Sequence, residues 1–181
     1  MFDFSKNYFE LFGMPVGFLL DGAELAARYR ELQKVVHPDR FAASGEHSQR
    51  LSLQGATLVN EAYDTLKDPL KRARYLLTLK GVETDPQRHT LNDPAFLMQQ
   101  MELRETLAAV RSARDPQAAL DGLLREIGNM IKSQVAQLAV QFEDSSPQQL
   151  AAAVQTVQKM QFLNKLHAEA EAIEADMEDA L

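Results

Sequence analysis

Four histidines, no cysteine and a scatter of carboxylates bound the chemistry open to this chain. Without cysteine there can be no disulfide, thiolate nucleophile, cysteine zinc site or thiolate-ligated iron–sulfur cluster. His37, His47, His89 and His167 lack the i, i+4 spacing that sets two imidazoles on one helix face, so no metal site is expected. No glycine-rich phosphate loop is present, and no cofactor is expected. What stands out is His37-Pro38-Asp39. Proline stiffens the loop, Asp39 offers a carboxylate for a bidentate arginine contact, and His37 offers a polar ring with two nitrogens. A stiff, charged loop suits docking on another protein, because preorganisation lowers the cost of binding. An enzyme using His37 and Asp39 as an acid–base pair is the alternative, but it lacks an evident nucleophile, substrate-pocket signal or cofactor motif. No catalytic residue is assigned.

The elements that must position this tripeptide are plainly punctuated. Asp21 followed by Glu24 has the form of a capping box, and Leu25, Arg28, Tyr29, Leu32, Val35 and Val36 recur at helical spacing, predicting a helix over about 22–36. Pro38 ends it, since proline removes a backbone donor and biases His37 toward extended geometry. A second helix is predicted from about Glu46 to Lys67, with Leu51, Leu58, Ala62, Tyr63 and Leu66 as its buried face. Asp68-Pro69 ends that helix and starts the next, with Gly81 as its stop, and a short helix near Tyr8–Leu11 precedes them all.

The polar stretch 81–92 reads as a connector between residues 1–80 and 93–181. Beyond it Asp93-Pro94, Asp115-Pro116 and Ser146-Pro147 each pair an N-cap residue with proline at the first helical position. They predict helices at about 94–112, 116–142 and 147–178, and short connections favour an antiparallel three-helix bundle. The fold class expected is therefore all-α, in two small units.

Charge separates the same two parts. Residues 1–80 carry 11 Lys+Arg against 10 Asp+Glu, and residues 81–181 carry 8 against 16, which makes +1 and −8 of the total −7. An acidic second half repels nucleic acid and attracts basic protein surfaces, so separate protein partners are expected. No apolar run approaches the roughly 20 residues of a membrane helix, and residues 1–6 have neither the basic nor the apolar region of a signal peptide. A cytoplasmic, bacterial protein with no membrane partner is expected.

A helical pair around His37-Pro38-Asp39, preceded by Tyr8-Phe9-Glu10-Leu11-Phe12-Gly13 and Tyr29-Arg30-Glu31-Leu32 and followed by Asn60-Glu61-Ala62-Tyr63-Asp64-Thr65-Leu66-Lys67-Asp68-Pro69, resembles the J-domain. The resemblance spans residues 8–74. It implies that the tripeptide docks on a DnaK-type chaperone near its nucleotide-binding domain and interdomain linker and promotes ATP hydrolysis, with no chemistry on the J-domain itself. Arg30 and Lys34, four residues apart, share a helix face that can meet an acidic chaperone surface, and Arg28 and Arg40 extend it. Glu31 and Val36 stand where J-domains often have a second basic residue and an aromatic, which argues against a general-purpose chaperone as partner.

The second half has no glycine/phenylalanine-rich linker and no CxxCxGxG repeats. Asp93-Pro94-Ala95-Phe96-Leu97-Met98-Gln99-Gln100-Met101-Glu102-Leu103-Arg104-Glu105 resembles the scaffold-binding helix of the HscB family, the specialised co-chaperones of iron–sulfur cluster assembly. Arg72-Ala73-Arg74-Tyr75-Leu76-Leu77 and Lys159-Met160-Gln161-Phe162-Leu163-Asn164-Lys165-Leu166 are similar to that family too. Helical geometry puts Phe96, Leu103, Leu107 and Val110 on one stripe, the bundle core. Leu97, Met98 and Met101 fall elsewhere, beside Glu102 and Glu105, as an apolar centre with an acidic rim. The resemblance implies that these five residues and Phe162 contact an IscU-like scaffold protein, while Phe162, Leu166, Ile173 and Met177 also make an acceptable core stripe. Residues Glu169–Asp179 read as a solvated acidic helix end. The function expected is an adaptor that binds the IscU scaffold, brings it to an HscA-like chaperone and stimulates that chaperone's ATPase. A J-protein serving a general DnaK-type chaperone with another client is the alternative.

Overall fold

The tripeptide loop can be held only by the helices on either side of it, and the computed structural model shows how they are joined. It describes residues 3–37, 45–83 and 93–179. These form seven α-helices, and no strand occurs among them. The chain divides into two units, Met1–Lys80 and Gly81–Leu181.

In the first unit α1 (Tyr8–Leu11) leads through Gly13 to α2 (Gly22–Val36), α3 (Glu46–Lys67) and α4 (Pro69–Leu79). A four-residue helix is marginal alone. This one carries a complete capping box: the Asn7 side chain accepts from Glu10 N and the Glu10 carboxylate accepts from Asn7 N, both at 3.0 Å. It also buries Phe9 fully. Gly13 has φ +61°, a backbone conformation that calls for glycine, and the mobile end of the Arg28 side chain lies close over it.

The capping box expected at Asp21 forms only in half. Asp21 accepts from Ala23 N (2.8 Å) and Glu24 N (3.0 Å), whereas the Glu24 carboxylate accepts from Arg28 at 2.7 Å instead of returning to the cap. On α3 the buried face is Ser52, Gly55, Val59, Ala62 and Leu66. Of the expected face, Ala62 and Leu66 are buried while Leu51, Leu58 and Tyr63 are half-buried at its edge. Ser52 holds a core position by donating to the Val36 carbonyl of α2 at 2.7 Å. Asp68 caps α4 by accepting from Lys71 N at 2.8 Å, and Gly81 follows the helix at φ +72°.

A core of Phe9, Phe12, Phe18, Leu25, Val59, Leu66, Leu76 and Leu77 closes this unit. Arg72 is buried with it. Its guanidinium donates to the Leu66 carbonyl at 2.6 Å, in the last turn of α3, and lies 4.9 Å over the Phe18 ring. Tyr8 stacks on Tyr75 at 4.3 Å and donates to Glu61 at 2.9 Å. Burial first, then the Glu61 hydrogen bond, pushes the Tyr8 hydroxyl up to about 12.

The second unit is a three-helix bundle of α5 (Pro94–Ala109), α6 (Pro116–Glu143) and α7 (Pro147–Glu178). All three start on their N-cap side chains: Asp93 accepts from Phe96 N (3.0 Å), Asp115 from Ala118 N (3.1 Å) and Ser146 from Gln149 N at a longer 3.4 Å. The helix expected to reach 112 is α-helical to Ala109 and ends in a 3-10 turn, Val110–Ser112, that turns Val110 into the core. Phe96, Leu103, Val110, Leu120, Leu123, Ile127, Leu163, Leu166 and Ala170 form that core. The acidic end of α7 is largely solvated, as expected, and two of its carboxylates also reach cations of the α5 segment: Glu169 lies 3.7 Å from Arg104 and Asp176 2.9 Å from Arg111.

Candidate functional site

Two exposed surfaces emerge, one on each unit. On the first, His37 is the C-cap of α2, exposed, with φ −61° and ψ 127°, the extended geometry expected of a residue before proline. Pro38, Asp39 and Arg40 lie outside the described residues. The helix that leads into them is anchored at its end. Ser52 binds the Val36 carbonyl next to His37, and further down the hairpin Tyr29 stacks on Tyr63 at 4.1 Å while its hydroxyl donates to Asn60 at 3.0 Å. Gln33 adds a hydrogen bond to the Tyr29 hydroxyl at 2.8 Å. Aromatic stacking, the buried Ser52 hydrogen bond and the more exposed Tyr29–Asn60 one cross-link α2 to α3 over the last two turns before the tripeptide.

The basic face of α2 is present but tempered. Arg28 pairs with Glu24 and Lys34 with Glu31, each at 2.7 Å, and Arg30 is exposed beside Glu31. All of these side chains are substantially in solvent, so the pairs are weak and a partner's carboxylates can compete for the cations. Arg28 also lies against Gly13, which ties the middle of α2 to the turn after α1.

On the second unit the two faces of α5 separate cleanly. Phe96, Leu103 and Val110 are buried and Leu107 partly so, whereas Leu97 is 46% exposed and Met98 and Met101 are each 64% exposed. Glu102 and Glu105 are exposed beside them. Residues at i, i+3 and i+4 are neighbours on a helix, so Leu97, Met98, Met101, Glu102 and Glu105 form one continuous stripe. Burying such side chains on a partner is favourable by about 25 cal/mol per Å² of apolar area removed from water. Phe162 is not on that open stripe. It is half-buried on α7, edge-on to Phe96 at 6.0 Å and 86°, with the Arg104 guanidinium 5.2 Å over its ring. It packs against the core and shows only its margin.

Periodicity did not reveal Lys159. Its ammonium donates to Asp93 at 2.6 Å and sits 5.4 Å from the Phe96 ring centroid, so one N-cap residue both starts α5 and fastens it to α7. The Lys159 hydrogen bond, aided by the Phe96 backbone N–H, holds the Asp93 carboxyl below the usual carboxylate range. Met98 and Glu102 share a shallow groove with this pair and with Gln134 of α6. The residues are 66 apart in sequence, and nothing local announces such a pair. Among the described residues no three histidine, aspartate or glutamate side chains gather where they could hold a metal ion. No helix among them is long and apolar enough to cross a membrane.

Known proteins share this arrangement. The family model described as the HSCB C-terminal oligomerisation domain matches residues 92–171. A co-chaperone protein HscB homologue of Vibrio cholerae is 48% identical over 168 residues, covering 93% of this chain and 96% of its own. The solved chaperone HscB of Vibrio cholerae is similar at 43% identity and a TM-score of 0.85, covering 95% of this chain and 99% of the other. The human co-chaperone HscB superposes with a TM-score of 0.86 at 30% identity, covering 95% and 84%. With an all-helical chain of J-domain followed by three-helix unit, and likeness along nearly its full length, this protein belongs to the HscB family of co-chaperones.

Proposed function

We propose that the protein is a two-contact adaptor in iron–sulfur cluster assembly, which binds an IscU-like scaffold through α5 and presents it to an HscA-like, DnaK-type chaperone whose ATPase the first unit stimulates. The observation that carries this reading is the α5 stripe: a bundle helix with its core face satisfied still exposes Leu97, Met98 and Met101 between Glu102 and Glu105. Contiguous exposed apolar side chains rimmed by charge mark a protein contact. Phe162, assigned to the same contact, lies off the open stripe, shows only its margin and braces Phe96, so its loss would disturb the core as well as the contact.

The chaperone contact is assigned to His37, Pro38, Asp39, Arg28, Arg30, Lys34 and Arg40. Arginine and lysine on α2 steer the encounter, and the tripeptide makes the specific contact. The protein neither holds a cluster nor hydrolyses ATP; it places client and chaperone together, which raises the effective concentration of one at the other without a third contact. A cytoplasmic location in a bacterium belongs to the same reading.

A second copy of this chain is the competing occupant of the α5 face, since the matching family model is described as an oligomerisation domain. Sedimentation and calorimetry of the full chain with purified IscU-like scaffold separate the two. The adaptor reading expects a one-to-one complex that a monomer forms and that Met98→Lys with Met101→Lys removes. A dimer that the same substitutions dissociate, with no scaffold binding, would replace it.

A further inference from the structure

We propose that Met98 and Met101 form a reversible oxidation site that releases the scaffold when peroxide-class oxidants rise. This rests on the assignment of the α5 stripe as the scaffold contact. Among the described methionines these two are the exposed ones, at 64% each. Met14 (7% exposed) and Met160 (1%) are buried, and Met130 and Met177 are packed against the bundle core. A thioether reacts when its sulfur lone pair reaches the oxidant, so exposure selects the pair on the docking face and spares those that hold the fold.

The step balances with hydrogen peroxide. The methionine sulfur attacks one peroxide oxygen, the O–O bond breaks as an S–O bond forms, and the departing hydroxide takes up the proton released by the transferred oxygen and leaves as water. Sulfur loses two electrons and peroxide gains them. A thiol-driven methionine sulfoxide reductase reverses the change.

The consequence follows from the surroundings. A sulfoxide is a strong acceptor that must find a donor when a partner covers it. Glu102 and Glu105 beside the pair offer only acceptors when ionised. The one cation of α5, Arg104, is turned to Phe162 and Glu169, and Lys159 near Met98 is held by Asp93 at 2.6 Å. Oxidation therefore places two strongly polar groups in the middle of an apolar contact, with the amides of Gln99 and Gln134 in the groove beside Met98 but acidic Glu102 and Glu105 flanking Met101, while the scaffold, once docked, shields both sulfurs.

The test treats the full-length protein with hydrogen peroxide, locates added oxygen by peptide mass spectrometry and measures affinity for IscU-like scaffold. Met98 and Met101 are expected to oxidise before Met14, Met130, Met160 and Met177, with scaffold binding weakened about tenfold or more, restored by the A and B reductases with dithiothreitol. Bound scaffold is expected to slow oxidation at both positions. In Met98→Leu with Met101→Leu the ratio of affinities before and after peroxide is expected to fall to about one. Unchanged affinity of protein fully oxidised at both positions overturns the proposal and leaves the scaffold contact standing. Failure of untreated protein to bind scaffold removes the contact and this proposal together.

Discussion

The basic face of α2 and the apolar stripe of α5 are both exposed helix surfaces, yet they differ in what water already does for them. On α2 the cations have partners on their own helix, Arg28 with Glu24 and Lys34 with Glu31, and lie well in solvent. A partner gains little net energy by replacing one solvated pair with another, so on the proposed reading that face guides approach and the adjoining tripeptide supplies specificity. On α5 nothing satisfies Leu97, Met98 and Met101 but burial, and adaptable methionines let one surface fit an uneven partner. Under the proposed function the first contact would serve brief encounters with a cycling chaperone, and the second the carriage of a client to it.

The largest expected effect breaks the first contact alone. Asp39→Asn or His37→Gln should abolish stimulation of an HscA-like ATPase while leaving scaffold affinity intact, because each acts on a loop remote in sequence from α5; if Asp39 makes a desolvated charge pair, its loss costs the productive complex about 2–5 kcal/mol. Single-turnover ATP hydrolysis and calorimetry give the two readouts. A comparable loss of scaffold affinity would erase the distinction between the surfaces.

Next comes the reciprocal change. Met98→Lys with Met101→Lys should weaken scaffold binding by about a hundredfold or more, as two charges are desolvated in an apolar contact, and should spare chaperone stimulation measured without scaffold. Thermal unfolding should stay near that of the parent, since neither side chain is in the core. By contrast Leu163→Ala, at a fully buried site in the same bundle, should cost about 2–5 kcal/mol of stability, read by urea unfolding.

Salt sharpens the comparison further. Raising ionic strength shortens the screening length to about 8 Å at 0.15 M and should slow association with the chaperone several-fold, while scaffold affinity changes less. Stopped-flow association at two salt concentrations is the check.

The smallest effect concerns how α5 is fastened. Asp93 is held below the usual carboxylate range in the folded chain by Lys159. A group with a depressed folded pKa contributes stability that is complete above its unfolded value and lost as pH falls through the folded one. Stability should therefore begin to fall as pH drops through the ordinary carboxylate range, and Asp93→Asn should flatten that limb by lowering stability at neutral pH toward its acid value, read by urea unfolding across pH.

Much of the fold was legible because its helix boundaries are written in short-range chemistry. Asp68-Pro69, Asp93-Pro94, Asp115-Pro116 and Ser146-Pro147 each start a helix where the sequence places it. The two faces of α5 were legible too, since periodicity alone separates Phe96 and Leu103 from Met98 and Met101. What escaped were choices made between helices. Ser52 is buried because its hydroxyl donates to the Val36 carbonyl across the α2–α3 seam, and no apolar pattern marks it or the buried Gly55. The Glu24 carboxylate can serve Asp21 or Arg28, and the arginine wins. Lys159 with Asp93 and Arg111 with Asp176 join residues 66 and 65 apart, pairings that only the folded bundle selects.

The central claim is that one chain couples two partners, and steady-state ATP hydrolysis by an HscA-like chaperone tests it most directly, measured with this protein, with and without IscU-like scaffold, beside a general DnaK-type chaperone. The account predicts stimulation selective for the HscA-like enzyme and further raised by scaffold, with the scaffold increment lost in Met98→Lys with Met101→Lys. Equal stimulation of both chaperones with no response to scaffold would contradict it, leaving a J-protein without the iron–sulfur role.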